Sequence, residues 1–224
     1  MRLMPASTLL AAALLAGCAS LAPKSQSVSE PMPPPSAEAA QAVDATPPDD
    51  SLNATVWYQT SVERDLVYRA LYRAAAVQLP AALADKRWDA LPKEDRSNDS
   101  RKLPPAIIVD VDETVLDNSA SQVRQIREHR GYDEAAWGEW VNERKAKPLP
   151  GAVEFLNAAA KQGVTIFYIS NRDASLAQAT LDNLRAVGYP LKRDDQFLGL
   201  GMVVDGCEQE GSEKSCRRQL IPVL

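Results

Sequence analysis

Apolar and polar positions follow a different rhythm in each part of this chain, and each rhythm predicts a different kind of segment. Leu3 to Gly17 is a mostly apolar stretch behind Arg2, whereas Ala22 to Asp50 is polar and holds seven of the sixteen prolines. From Asn53 to Leu79, the residues Val56, Trp57, Val62, Leu66, Val67, Ala70, Leu71 and Ala74 recur at helical spacing, so most of them share one face. That spacing predicts a helix capped by Asn53 and ended by Pro80, with Arg64, Asp65, Arg69 and Arg73 outward. Ala106 to Val109 is a short unbroken apolar run behind Pro104 and Pro105, the pattern of a buried parallel strand. Tyr132 to Arg144 reads as helical, and Gly151 to Gln162 as a helix stopped by Gly163. Val164 to Ile169 is a second apolar strand, and Ala174 to Val187 a further helix. Strands alternating with helices predict an α/β domain with a parallel sheet.

Composition narrows the chemistry. The 224 residues carry 25 Lys+Arg against 30 Asp+Glu, a formal charge of −5, which argues against binding a nucleic-acid polymer. His129 is the one histidine, so neither a multi-histidine zinc site nor a phosphatase built on a histidine pair can be assembled. Catalysis here must rest mainly on carboxylates, Lys/Arg and hydroxyls. Three cysteines are too few for a disulfide scaffold or a Cys-rich metal module.

The first seventeen residues are short for a spanning helix and have the layout of a secretory signal. Leu15-Ala16-Gly17-Cys18 resembles the bacterial lipobox, in which the signal is removed and the new terminal cysteine is lipidated. An ordinary signal with an incidental cysteine is the alternative. Residues 18–51 then form a lipidated Cys18 and a proline-rich tether that cannot bury enough surface to order itself, and residues 52–224 form the folded domain. A Pro-rich docking motif is the other reading of the tether. Ala19, where an aspartate would favour the inner membrane, leans toward a lipid-anchored place in the cell envelope at the outer membrane. With Cys18 lipidated in an oxidising compartment, Cys207 and Cys216 are expected to form a disulfide that restricts the intervening Lys214.

Asp110 and Asp112 stand two apart at the carboxyl end of the first strand, where an extended chain puts them on one face and where α/β folds bind ligands. Adjacent carboxylates repel, so a cation or a shared proton is expected between them. Asp110-Val111-Asp112-Glu113-Thr114-Val115-Leu116-Asp117-Asn118 resembles the first motif of the haloacid dehalogenase (HAD) superfamily. Trp57 to Ser61, Pro150 to Leu156 and Phe167 to Arg172 are similar to segments of its bacterial lipoprotein acid phosphatases (class B-like, subfamily IIIB), which act as surface nucleotidases. The resemblance covers about residues 52–220. It implies a three-layer Rossmann-like fold with a parallel sheet, an N-terminal helix and a small helical cap inserted at about residues 113–150.

The resemblance also implies roles. Asp110 would attack phosphorus and Asp112 would act as acid and then base, with magnesium held by Asp110 and the main-chain carbonyl of Asp112. Ser170 would donate to a phosphoryl oxygen, and Lys214 would stabilise the nucleophile and the transferring charge. Thr114, Asn171 and Arg172 would meet the substrate, a small phosphomonoester, and Trp137 in the cap would stack on a nucleobase. Blander readings stand beside these: Ser170-Asn171-Arg172 as a helix cap, Lys214 with Arg217 and Arg218 as a surface cluster, and Trp137 as core packing. The family's fourth motif, Gly-Asp-x-x-x-Asp, is expected after Lys214 and is not found before Leu224. The reading therefore expects a domain truncated before that motif, with part of its core missing. A non-catalytic phosphate-ligand-binding or structural envelope lipoprotein is the alternative function.

Overall fold

The computed structural model describes residues 49–89, 99–208 and 211–221. The expected signal, Cys18 and most of the tether lie outside the described residues.

The chain runs α1 (Leu52–Thr60), α2 (Val62–Ala84), β1 (Ala106–Val109), β2 (Leu116–Asp117), α3 (Ser119–Arg127), α4 (Glu134–Glu143), β3 (Lys147–Pro148), α5 (Ala152–Lys161), β4 (Thr165–Asp173), α6 (Ala177–Ala186), β5 (Phe197–Leu200) and α7 (Ser215–Leu220). Strands β1, β4 and β5 form a parallel sheet in that order, with Ala106 opposite Thr165 and Val109 opposite Tyr168. This is the expected α/β architecture. The two apolar runs pair with each other, and α5 and α6 carry the crossovers from β1 to β4 and from β4 to β5. Between β1 and β4, α3 and α4 are framed by the antiparallel β2–β3 ribbon, which pairs Leu116 with Pro148. The core holds Val111, Val115, Leu116, Leu149, Leu156, Ile166, Tyr168 and Leu184.

Three expectations fail. β1 was read as buried, but among the described residues it pairs on one side only, and its residues are exposed or half-buried. The N-terminal helix divides at Ser61, whose side chain caps α2 by accepting from the Arg64 N–H, and Asn53 lies inside α1 rather than capping it. Pro80 does not end α2, which continues to Ala84.

The larger correction concerns which face of these helices is buried. Val56, Trp57, Val62, Leu66, Val67 and Leu71 are exposed, while Tyr58, Tyr68, Tyr72 and Leu79 face the core. The reason is polar. The Tyr68 hydroxyl donates to the Glu113 carbonyl at 2.8 Å, and the Tyr72 hydroxyl donates to the Thr114 carbonyl. Burial pushes the Tyr72 hydroxyl up to about 12, which keeps its proton in place for that bond. A tyrosine covers apolar surface with its ring and satisfies a carbonyl with its tip, which leucine cannot do. Arg64, expected outward, turns in: it lies over the Tyr58 ring, 4.2 Å from its centroid, and pairs with Asp117 at 2.6 Å.

Candidate active site

The site begins where β1 ends. Beyond Val109 the chain leaves the sheet and winds around the Val111 carbonyl, which accepts from the N–H groups of Val115 and Leu116, each at 2.9 Å. Glu113 takes a positive φ of 51°, and its N–H returns to the Leu116 carbonyl at 2.9 Å. Asp110 and Asp112 therefore stand in a hydrogen-bonded loop rather than on the extended strand the sequence suggested. Tyr68 and Tyr72 hold that loop from outside.

The two carboxylates have different surroundings. Asp110 accepts the Val111 N–H at 2.7 Å on Oδ1 and the Lys214 ammonium at 2.7 Å on Oδ2, and its side chain is 43% exposed. Asp112 Oδ1 takes three donors: Arg172 Nε at 3.0 Å, Arg172 Nη2 at 2.8 Å and Asn118 Nδ2 at 2.8 Å. Its Oδ2 accepts from the Ser170 hydroxyl at 3.1 Å. One carboxylate is half-exposed and pairs with the Lys214 ammonium, while the other accepts four hydrogen bonds from three side chains.

Other sequence-predicted residues fall around this pair. Ser170 is fully buried, and its single proton goes to Asp112 rather than standing free for a ligand; its oxygen in turn accepts the Arg172 N–H at 3.0 Å. Arg172 is buried, and its remaining donors reach Thr180 and Asn118, each at 3.2 Å, so its guanidinium is spent inside the protein. Asn171 is exposed and lines a cleft of about 290 Å³ together with Asp112, Glu113, Gln122, Gln125, Tyr132 and Trp137. Trp137 lies half-buried with the Arg172 guanidinium 5.5 Å from its ring centroid and Tyr132 at 6.5 Å. Thr114 is not among the residues lining this cleft; its carbonyl serves as the anchor for Tyr72. Cys207 and Cys216 form the expected disulfide, closing the loop that bears Lys214.

Sequence reasoning passed over three contributors. Asn118 is buried and orders the Asp112 side: its Oδ1 accepts the Trp140 indole N–H at 2.9 Å, which turns its amide nitrogen toward Asp112. Indole N–H can only donate, so the amide has one sensible orientation. Asp117 anchors α1–α2 through Arg64. Arg217, which the alternative reading of Lys214 puts in a surface cluster, is fully buried. The signal available for Asn118 and Asp117 was their place at the end of the aspartate motif.

The donor set bears on magnesium. Among the described residues no three His, Cys, Asp or Glu side chains converge as a metal cluster. The Asp112 carboxylate is taken up by Arg172, Asn118 and Ser170. That leaves the half-exposed Asp110 carboxylate as an oxygen donor, and so sparse a set suits magnesium, which keeps several waters and shares substrate phosphate oxygens.

Residues 39–201 match the family described as HAD superfamily, subfamily IIIB (Acid phosphatase). The fold is similar to the class C acid phosphatase from Bacillus anthracis, with 34% sequence identity and a TM-score of 0.61 over 76% of this chain and 63% of that one. It is also similar to the structure of the class C acid phosphatase from Bacillus anthracis with tungstate bound, at 35% identity and a TM-score of 0.62 with the same coverage. The chain thus spans about 63% of the length of these relatives, which are class C rather than class B acid phosphatases.

Proposed function

Because the chain belongs to the subfamily IIIB acid phosphatases of the HAD superfamily, we propose that it hydrolyses small phosphomonoesters, nucleotides among them, through an aspartyl-phosphate. The strongest support is a convergence: Lys214 reaches Asp110 and Ser170 reaches Asp112, although more than fifty residues separate the members of each pair. Asp110 is the nucleophile, since its carboxylate is half-exposed and pairs with the Lys214 ammonium rather than with a buried partner. Its oxygen bonds to phosphorus as the ester P–O bond breaks, and Asp112 delivers a proton to the leaving oxygen. Asp112 then takes a proton from the water that releases phosphate and restores Asp110. Lys214 stabilises the charge that develops on the transferring group.

Phosphatases of this superfamily generally use magnesium. Asp110 and the carbonyl of Asp112 would hold the ion here, and it would neutralise charge between carboxylate and phosphoryl group. Tungstate, bound by the Bacillus anthracis enzyme, is a tetrahedral oxyanion like phosphate, and the same shape is expected to lodge beside Asp110. Asn171 and the cleft residues Gln122 and Gln125 offer polar contacts to the rest of the substrate, and Trp137 presents a ring at the cleft wall. The apolar stretch before Cys18 supports secretion and lipid anchoring in the envelope, leaning to the outer membrane; Cys18→Ala should then move the protein from the membrane to the soluble fraction.

The deciding assay is phosphate release from p-nitrophenyl phosphate with magnesium, absent with EDTA and absent in Asp110→Asn. No release by the wild type under these conditions overturns the catalytic reading. A second reading, oxyanion binding beside Asp110 without turnover, is favoured by the commitment of the Asp112 carboxylate to Arg172, Asn118 and Ser170, which leaves it less free to carry a proton. In that case tungstate would raise the melting temperature while no phosphate is released.

A further inference from the structure

Arg217 is fully buried although it carries a charge, and its surroundings explain why. Its Nη1 donates to the Ser170 carbonyl, and its Nη2 donates to the Asn171 side-chain oxygen and to the Glu213 carbonyl, both at 2.8 Å. Burial disfavours its charge, whereas the Asp110 carboxylate favours it. The fork thus joins two segments that are distant in sequence. One is the end of β4, whose Ser170 touches Asp112; the other precedes α7 and carries Lys214, which touches Asp110. The Cys207–Cys216 disulfide ties that second segment back to Cys207.

We propose that Arg217 is a positioning residue: its guanidinium fork fixes the Lys214 segment against the end of β4 and so seats the Lys214 ammonium on Asp110. A planar guanidinium can satisfy several acceptors in fixed directions at once, which a lysine ammonium cannot reproduce at the same site. The disulfide limits how far the segment can move, while Arg217 sets where it rests. The inference rests on the roles proposed above for Asp110 and Lys214.

The test reads Lys214 directly. An ammonium paired with a carboxylate acylates slowly, so the rate at which Lys214 reacts with an N-hydroxysuccinimide acetate, followed by peptide mass, reports its seating. Arg217→Gln should raise that rate about tenfold, the scale of one lost hydrogen bond to a charged group. Arg217→Lys keeps a buried cation but cannot span both segments and should give a smaller rise. Leu184→Ala removes core packing in α6 and should lower the melting temperature while leaving Lys214 labelling unchanged. In the phosphatase assay Arg217→Gln should lower kcat more than it raises KM.

Wild-type labelling rates in both Arg217 variants would overturn the proposal, as would an equal rise in Leu184→Ala. If Arg217→Gln does not fold, Arg217→Lys decides alone. Absence of phosphate release by the wild type would sink the catalytic reading but not the clamp, because labelling needs no turnover.

Discussion

Asp110 and Asp112 are the same residue type two positions apart, yet the protein treats them as opposites. Around Asp110 the structure is spare: one main-chain N–H and one lysine on a disulfide-closed loop touch it, the Arg217 charge lies nearby, and its side chain is 43% exposed. Around Asp112 it is dense: a buried arginine, a buried asparagine and a buried serine, with Trp140 orienting the asparagine from α4. A nucleophile must be reachable and must change partners during reaction, while a proton carrier must be held in place. Environment, not residue type, separates the two proposed roles.

Four experiments break or sharpen this contrast. Asp110→Asn removes the proposed nucleophile and should lower kcat by roughly 10⁴-fold or more. Its stability should stay within about 0.5 kcal/mol of wild type, because the side chain is half exposed. A turnover loss matched by a large drop in urea midpoint would show that the Asp110 side is not spare after all.

Arg172→Met attacks the dense side. Breaking a buried pair costs about 3–5 kcal/mol, and Asp112 is 26% exposed, so the expected loss is lower, about 2–3 kcal/mol by urea unfolding. An unchanged midpoint would mean that Arg172 meets substrate in solution rather than Asp112. Cys207→Ser opens the loop on the Asp110 side and should cost about 2–3 kcal/mol in the chain-entropy picture. Because Arg217 remains, Lys214 labelling should change less in this variant than in Arg217→Gln.

The smallest effect concerns Glu113, the residue after Asp112. Burial raises its pKa above the ordinary 4.5, the Asp112 charge adds to the rise, and the Asn118 N–H opposes it. Raised in the folded state, the carboxyl contributes stability that is present below 4.5 and lost as pH climbs through the folded value. Glu113→Gln should therefore flatten the decline in stability above pH 4.5 by less than about 1 kcal/mol, with little change below it. Parallel curves for the two proteins across this range would refute the assignment.

Much of the frame was written in local pattern. Ala106 to Val109 and Val164 to Ile169 were legible as strands from unbroken apolar runs, and the helix expected at Gly151 to Gln162 forms from Ala152 to Lys161. Asp110, Asp112, Ser170 and Lys214 stand out in the sequence as candidates because each sits next to a strand end or in a recognisable motif, and the structure brings Lys214 to Asp110 and Ser170 to Asp112. The α1–α2 surface misled for a stated reason. Spacing of Val and Leu reports which residues could share a face, but it cannot report that tyrosine hydroxyls have carbonyls waiting at Glu113 and Thr114.

What the amino-acid order determined on its own was therefore the parallel α/β frame and the set of polar groups at its strand ends, since both arise from near neighbours in the chain. Only the tertiary structure decided how those groups are shared out. It gave Arg172 and Ser170 to Asp112, left Lys214 to Asp110, and buried Arg217 beneath both segments. Those bonds join residues some forty to a hundred positions apart, and their energies depend on burial and direction, which no local pattern of hydrophobic and polar residues contains.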